Sequence, residues 1–222
     1  MAFDDSDPPT DPRRLKEKKN PKGKEARQPR KVTPRYLENA ALYYLQRYSS
    51  SAANLRRILT AKVWRSAQAH DTSPDEGAEI IEDIITRFLR SGLLDDRAYA
   101  EAKAVSFHRR GTSARGIQAK LAAKGVASEI IERALESLRI ETPEPEHAAA
   151  IALARRRRFG PFRKTATTER EETEDGEAKK RRRMKELAAM ARAGFSYELA
   201  RLVIDATDLQ TLEETLEQKN FS

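Results

Sequence analysis

The sequence predicts an all-α fold built from three copies of one helical unit, and three observations carry that prediction. The first is a recurrence. Ile130, Ile131, Ala134 and Leu135 share their spacing with Leu199, Ala200, Val203 and Ile204, and with Ile80, Ile81, Ile84 and Ile85. Positions i, i+1, i+4 and i+5 fall on one stripe of a 3.6-residue helix, so each set marks the apolar face of a helix. The second is what precedes them. Gly125 and Gly194 follow apolar-periodic runs, where a left-handed residue closes a helix, and Ser128 and Ser196 stand where a hydroxyl caps the next one. The third is that a longer helix stands in front of each such pair, which makes the recurring unit a three-helix one.

Composition narrows the function. Lys and Arg number 43 against 35 Asp and Glu, giving a net charge of +8 and a pI near 9.7. That balance favours a polyanionic partner such as nucleic acid. The chain has no cysteine, and its three histidines, His70, His108 and His147, are scattered. Disulfides, thiolate catalysis and the usual zinc patterns are therefore excluded, and neither a metal nor a cofactor is expected. No Gly-rich stretch precedes a Lys-Ser or Lys-Thr pair, so no nucleotide-binding loop is read and the protein is not expected to be an enzyme. No apolar run approaches the roughly 18–20 residues that span a bilayer. The N-terminal MAFDDSDPPTDP lacks the apolar core of a signal peptide, so a soluble, cytoplasmic protein away from membranes is expected.

In chain order, residues 1–32 combine five prolines with mixed charge and few large apolar residues, and read as a disordered, basic, Pro-rich arm. The first repeat spans 33–92. Pro34 suits a first helical turn, and Tyr36, Leu37, Ala40, Ala41, Tyr44 and Leu45 keep helical spacing. Three serines, Ser49, Ser50 and Ser51, interrupt it before a second helix that carries Leu55, Ile58 and Leu59 inward. Residues 64–79 read as an insertion that prolongs this helix and turns at Asp71 to Pro74. Ser73 caps and Pro74 opens the third helix, which Gly92 ends.

The second repeat spans 93–140. Leu93 and Leu94 read as a staple, and Asp95 or Asp96 as the cap of a helix with Ala98, Tyr99, Ala102 and Val105 on its inner side. The two neighbouring carboxylates point different ways on a helix start and have no third ligand, so a cap fits better than a metal site. The helix ends in Phe107, His108, Arg109, Arg110 and Gly111. Thr112 or Ser113 caps the next, with Ile117 and Leu121 inward and Arg115, Lys120 and Lys124 outward. Binding phosphate and lying on a solvated helix face both fit those three cations.

Pro143 and Pro145 break the chain before the third repeat, 144–207. An alanine-rich helix over 146–159 carries Arg155, Arg156, Arg157 and Arg158, which wrap round it and cannot all be packing residues. Residues 165–177 read as an acidic loop. Lys179, Lys180, Arg181, Arg182 and Arg183 then open a helix, where the dipole disfavours cations unless an anion is near. Residues 208–222 read as a weakly amphipathic tail.

GLLDDRAYA at 92–100, LAAKGVASEIIERAL at 121–135 and RRMKELAAMARAGFSYELARLVI at 182–204 resemble the RecX family of bacterial regulators of the RecA recombinase. The resemblance covers about residues 40–204. It implies an elongated, curved array of tandem three-helix repeats that docks on the RecA–DNA filament as a monomer. It also implies negative modulation of RecA's ATPase, strand exchange and co-protease activity in recombination, repair and the SOS response. The family offers no catalytic residues to carry over. Contacts to RecA and to single- or double-stranded DNA are expected at Arg109, Arg110, Arg115, Lys120, Lys124, Arg155, Arg156, Arg157, Arg158, Arg181, Arg182 and Arg183. Two other readings use the same residues. One is a sequence-specific helix-turn-helix transcription factor, although the presumptive recognition helices at Ile130 and Leu199 are poor in base-reading side chains. The other is a helical scaffold or a nuclease with carboxylates gathered from several helices.

Overall fold

The computed structural model describes residues 28–163, 175–208, 210–212 and 215. Most of the N-terminal arm and of the acidic stretch 165–177 lies outside the described residues. Among those described, the regular elements are all helical: α1 (Pro34–Leu45), α2 (Ala52–His70), α3 (Pro74–Arg90), α4 (Asp96–Arg109), α5 (Ala114–Ala122), α6 (Ser128–Glu141), α7 (Pro145–Arg157), a 3-10 turn (Gly160–Phe162), α8 (Gly176–Arg192) and α9 (Tyr197–Asp205). The chain divides between Leu94 and Asp95 into two compact units.

In the first unit, α1 starts where Thr33 Oγ1 accepts from the Tyr36 amide at 3.2 Å, with Pro34 in the first turn. Ser51 caps α2 in the same way through the Asn54 amide. Residues 64–79 do what their sequence predicts, prolonging the second helix and turning before the third. α2 runs unbroken to His70, Asp71 turns the chain at φ 49°, and Ser73 and Pro74 start α3. Leu37, Leu55, Leu59, Ile81, Ile84 and Ile85 are all at most 1% exposed and form the core, joined by Phe88 and Leu94. Of the expected staple only Leu94 docks, because Leu93 is 48% exposed.

The second unit holds α4 to α9, with one apolar cluster around Ile117, Leu121 and Ile131 and another around Leu153, Met190 and Val203. Asp95 caps α4, accepting from the Arg97 and Ala98 amides at 2.9 Å. The inner face of α4 is Tyr99, Ala100, Ala104 and His108, with Val105 packed against its edge; Ala98 and Ala102 are exposed. Alanines at 98, 100, 102 and 104 leave the period undetermined, and burial of His108, whose Nε2 lies 2.7 Å from the Pro145 carbonyl, settles it. Ser128 is also not a cap. α6 starts from Ala127 with no side-chain cap, and Ser128 is its first residue.

The prolines at 143 and 145 do separate α6 from α7, yet no unit boundary falls there, because α7 packs back on the helices before it. Gly111, at φ +76°, makes this possible: a Cβ there would lie 2.3 Å from the Leu153 amide nitrogen and 2.7 Å from its Cα. Ser113 links the two clusters. Its Oγ caps α5 through the Gly116 amide at 3.0 Å and donates to the Ala193 carbonyl at 2.6 Å, at the end of α8. Glu146 of α7 accepts from the Ala114 amide at 3.0 Å. After α9, Leu212 is 1% exposed and belongs to the Met190 cluster.

Candidate nucleic-acid interface

The middle and last repeats bring part of their positive charge together. Lys120 lies on α5, Arg156 and Arg157 in the last turn of α7, and Arg192 at the last residue of α8. The α7 and α8 cations sit at helix C-termini, where the dipole favours them, so the fold tolerates them at low cost. Together they line a groove of about 440 Å³ with a floor of small residues, including Gly111, Gly116, Ala119, Ala189 and Ala193. None of its lining residues is acidic.

Lys120 is the pivot. Its ammonium lies 4.7 Å from the Phe107 ring centroid and 3.4 Å from Thr112 Oγ1. The Arg110 guanidinium stands 5.3 Å from the same ring. Burial holds the Lys120 amine below its ordinary value, and the charges of Arg110 and Arg156 lower it further. An ammonium crowded by like charges gains when an anion arrives, because the anion offsets both desolvation and repulsion. Among the described residues, Lys120, Arg156, Arg157 and Arg192 have no carboxylate at salt-bridge distance. Cations elsewhere on this unit do: Arg97 pairs with Glu101, Arg139 with Glu136, and Arg163 with the buried Glu186.

The remaining cations expected to bind lie apart from this groove's lining. Arg109 is exposed at the end of α4, and Arg115 is exposed with its Cβ facing Gly194. Lys124 is half-buried, and Arg155 stacks at 5.3 Å on Phe162. Arg158 has left the helix, at φ 60°. The α8 cluster differs from expectation. The helix begins at Gly176 with Glu177 in its first turn, so Lys179 falls beyond that turn and the expected dipole cost largely disappears. Arg181 is exposed and Arg182 half-buried, whereas Arg183 forks onto Asp205 at 2.6 and 2.7 Å. Arg192 and Phe107 were not legible as site residues. Arg192 is an isolated arginine in a chain full of them, and it gains neighbours where the end of α8 meets the start of α5 through Ser113 and Ala193.

Fold and groove together define an all-α repeat protein with an unbalanced cationic recess and, among the described residues, no cluster of three metal-ligating side chains. No helix among them is long and apolar enough to cross a membrane. The second three-helix domain of RecX matches residues 95–135. The regulatory protein RecX of Myxococcus xanthus is 42% identical over 180 residues, covering 81% of this chain and 90% of its own length. That of Agrobacterium fabrum is 33% identical over 172 residues, covering 78% of this chain and 83% of its own. A crystal structure of a regulatory protein RecX superposes with a TM-score of 0.52 at 21% identity, over 78% of this chain and 72% of the other. The chain belongs to the RecX family of regulatory proteins.

Proposed function

We propose that this protein binds the RecA–DNA filament and lowers RecA's activity by occupancy, with no chemistry of its own. The observation that carries this reading is the groove between α5, α7 and α8, where four cations converge without a carboxylate among the lining residues. Such a recess fits a phosphate backbone or an acidic patch on a filament subunit. In this reading Lys120, Arg156, Arg157 and Arg192 make the main contacts, Arg109, Arg110 and Arg155 add to them, and Arg183 contributes least because Asp205 already holds it. The operator-binding alternative is weakened by α6, whose exposed residues include Glu129, Glu132 and Glu136 and would face phosphate with like charge.

The test is RecA's single-stranded-DNA-dependent ATP hydrolysis, titrated with this protein at fixed salt. Inhibition at well below one molecule per RecA supports action on the filament and its growing end. Unchanged hydrolysis with RecA from the same organism contradicts it.

A further inference from the structure

We propose that the first unit carries a separate site, a stacking surface for single-stranded nucleic acid, formed by α1 with Lys62 of α2. It lies outside the unit that holds the cationic groove and does not rest on the filament reading.

A groove of about 460 Å³ runs along α1, lined by Arg30, Arg35, Tyr36, Tyr43 and Lys62 with no acidic residue in its lining. Tyr43 is 57% exposed, and the Arg47 guanidinium lies 4.4 Å from its ring centroid. Lys62 Nζ lies 5.9 Å from the Tyr36 ring. The two tyrosines are two helical turns apart on one face, about 10 Å along the axis, with Tyr43 the exposed ring and Tyr36 partly covered by the core. The approach to α1 is held in place, because the Val32 amide donates to Ser66 Oγ at 2.9 Å and His70 Nε2 bonds the Pro29 carbonyl. Arg30 is thereby positioned beside α2.

Charge pairing on this unit is one-sided. Arg56 forks onto Glu82, and Arg87 reaches both Glu38 and Asp83. Arg30, Arg35, Arg47 and Lys62 have no carboxylate partner among the described residues. The sequence alone keeps Tyr43 off the apolar stripe of α1, so the core gives no reason for an aromatic ring there. Cations that track a backbone, interleaved with exposed rings that accept a base face, are how single strands are bound without sequence preference. A duplex keeps its base faces stacked inside and offers these rings nothing but phosphate, so the surface distinguishes single strands from duplex.

The experiment measures fluorescence anisotropy of a labelled oligo-dT and of a labelled duplex of equal length, with the full chain and no RecA. Tyr43→Ala is expected to weaken oligo-dT binding about tenfold, the loss of one stacked base, and duplex binding less than twofold. Tyr43→Phe keeps the ring and should stay within twofold of the parent. Unchanged oligo-dT binding in Tyr43→Ala, as expected if the face serves an acidic protein segment, overturns the proposal, and so does an equal loss on both nucleic acids. Photo-crosslinking of the unaltered protein to a bromodeoxyuridine oligonucleotide provides a variant-free check. Adducts on the peptide holding Tyr36 and Tyr43 support the site, and adducts confined to residues beyond 95 overturn it.

Discussion

Asp205 and Lys120 show how the same physics yields opposite roles for charged side chains. The hydrogen bonds from Arg183 hold the Asp205 carboxyl below its ordinary value of 3.8 against a smaller opposing effect of burial. A carboxylate depressed on folding stabilises the native state at pH values above its ordinary pKa, and that contribution is lost as pH falls through the folded value. Asp205→Asn should therefore lower the unfolding free energy by about 0.5–1 kcal/mol at neutral pH, a modest figure because both side chains are 39% exposed and screened. In urea titrations the gap between variant and parent should close as pH is taken below 3.8, and a gap that persists there contradicts the pairing. Among the described residues Lys120 has no such partner, and its contacts are the Phe107 ring and Thr112 Oγ1. The sequence named Lys120, Arg156 and Arg157 from their density, but could not show which of twelve cations would meet. That depends on Gly111 letting α7 approach, a contact between residues about 40 positions apart in the chain.

Helices were the most legible level, because their ends carry local chemistry. Thr33, Ser51, Ser73, Asp95, Ser113 and Ser196 each cap through their own side chains, and the glycines at 92, 111, 125 and 194 all have positive φ. Where local chemistry is ambiguous the reading failed. On α4 the alanines fit more than one stripe, so Tyr99 and Val105 are legible as inward but Ala100 and Ala104 are not, and at α6 Ala127 rather than Ser128 takes the cap position, without a side-chain bond. The segment after α9 reads only as a weakly amphipathic tail because its pattern is weak, and Leu212 is the residue by which it joins the core around Met190 and Val203. Leu212→Ala should cost about 2–4 kcal/mol, the range for a buried leucine, seen as a lower urea midpoint. A change below about 0.5 kcal/mol, typical of a surface position, would show that this residue does not seal the core.

Across the full chain, the all-α class and the repeating unit could be read from periodicity, because each unit repeats the same burial problem and solves it with the same spacing. The union of the middle and last repeats in one compact unit could not. The Pro143 and Pro145 break looks like a boundary in sequence, whereas the hydrogen bonds of Ser113, Ala114 and His108 tie the middle repeat to the last. That union places charges from two repeats around one recess, and it is the recess that the functional account depends on. The most direct test compares two variants of equal charge change in RecA ATPase inhibition: Lys120→Gln, Arg156→Gln and Arg157→Gln combined, and Arg56→Gln, Arg97→Gln and Arg139→Gln combined. The second set neutralises arginines that are paired with carboxylates. The groove variant should need at least about tenfold more protein for half-inhibition, consistent with the loss of several phosphate contacts, while the control stays within about twofold. Equal loss in both would mean that net charge alone matters, and unimpaired inhibition by the folded groove variant would contradict the assignment outright.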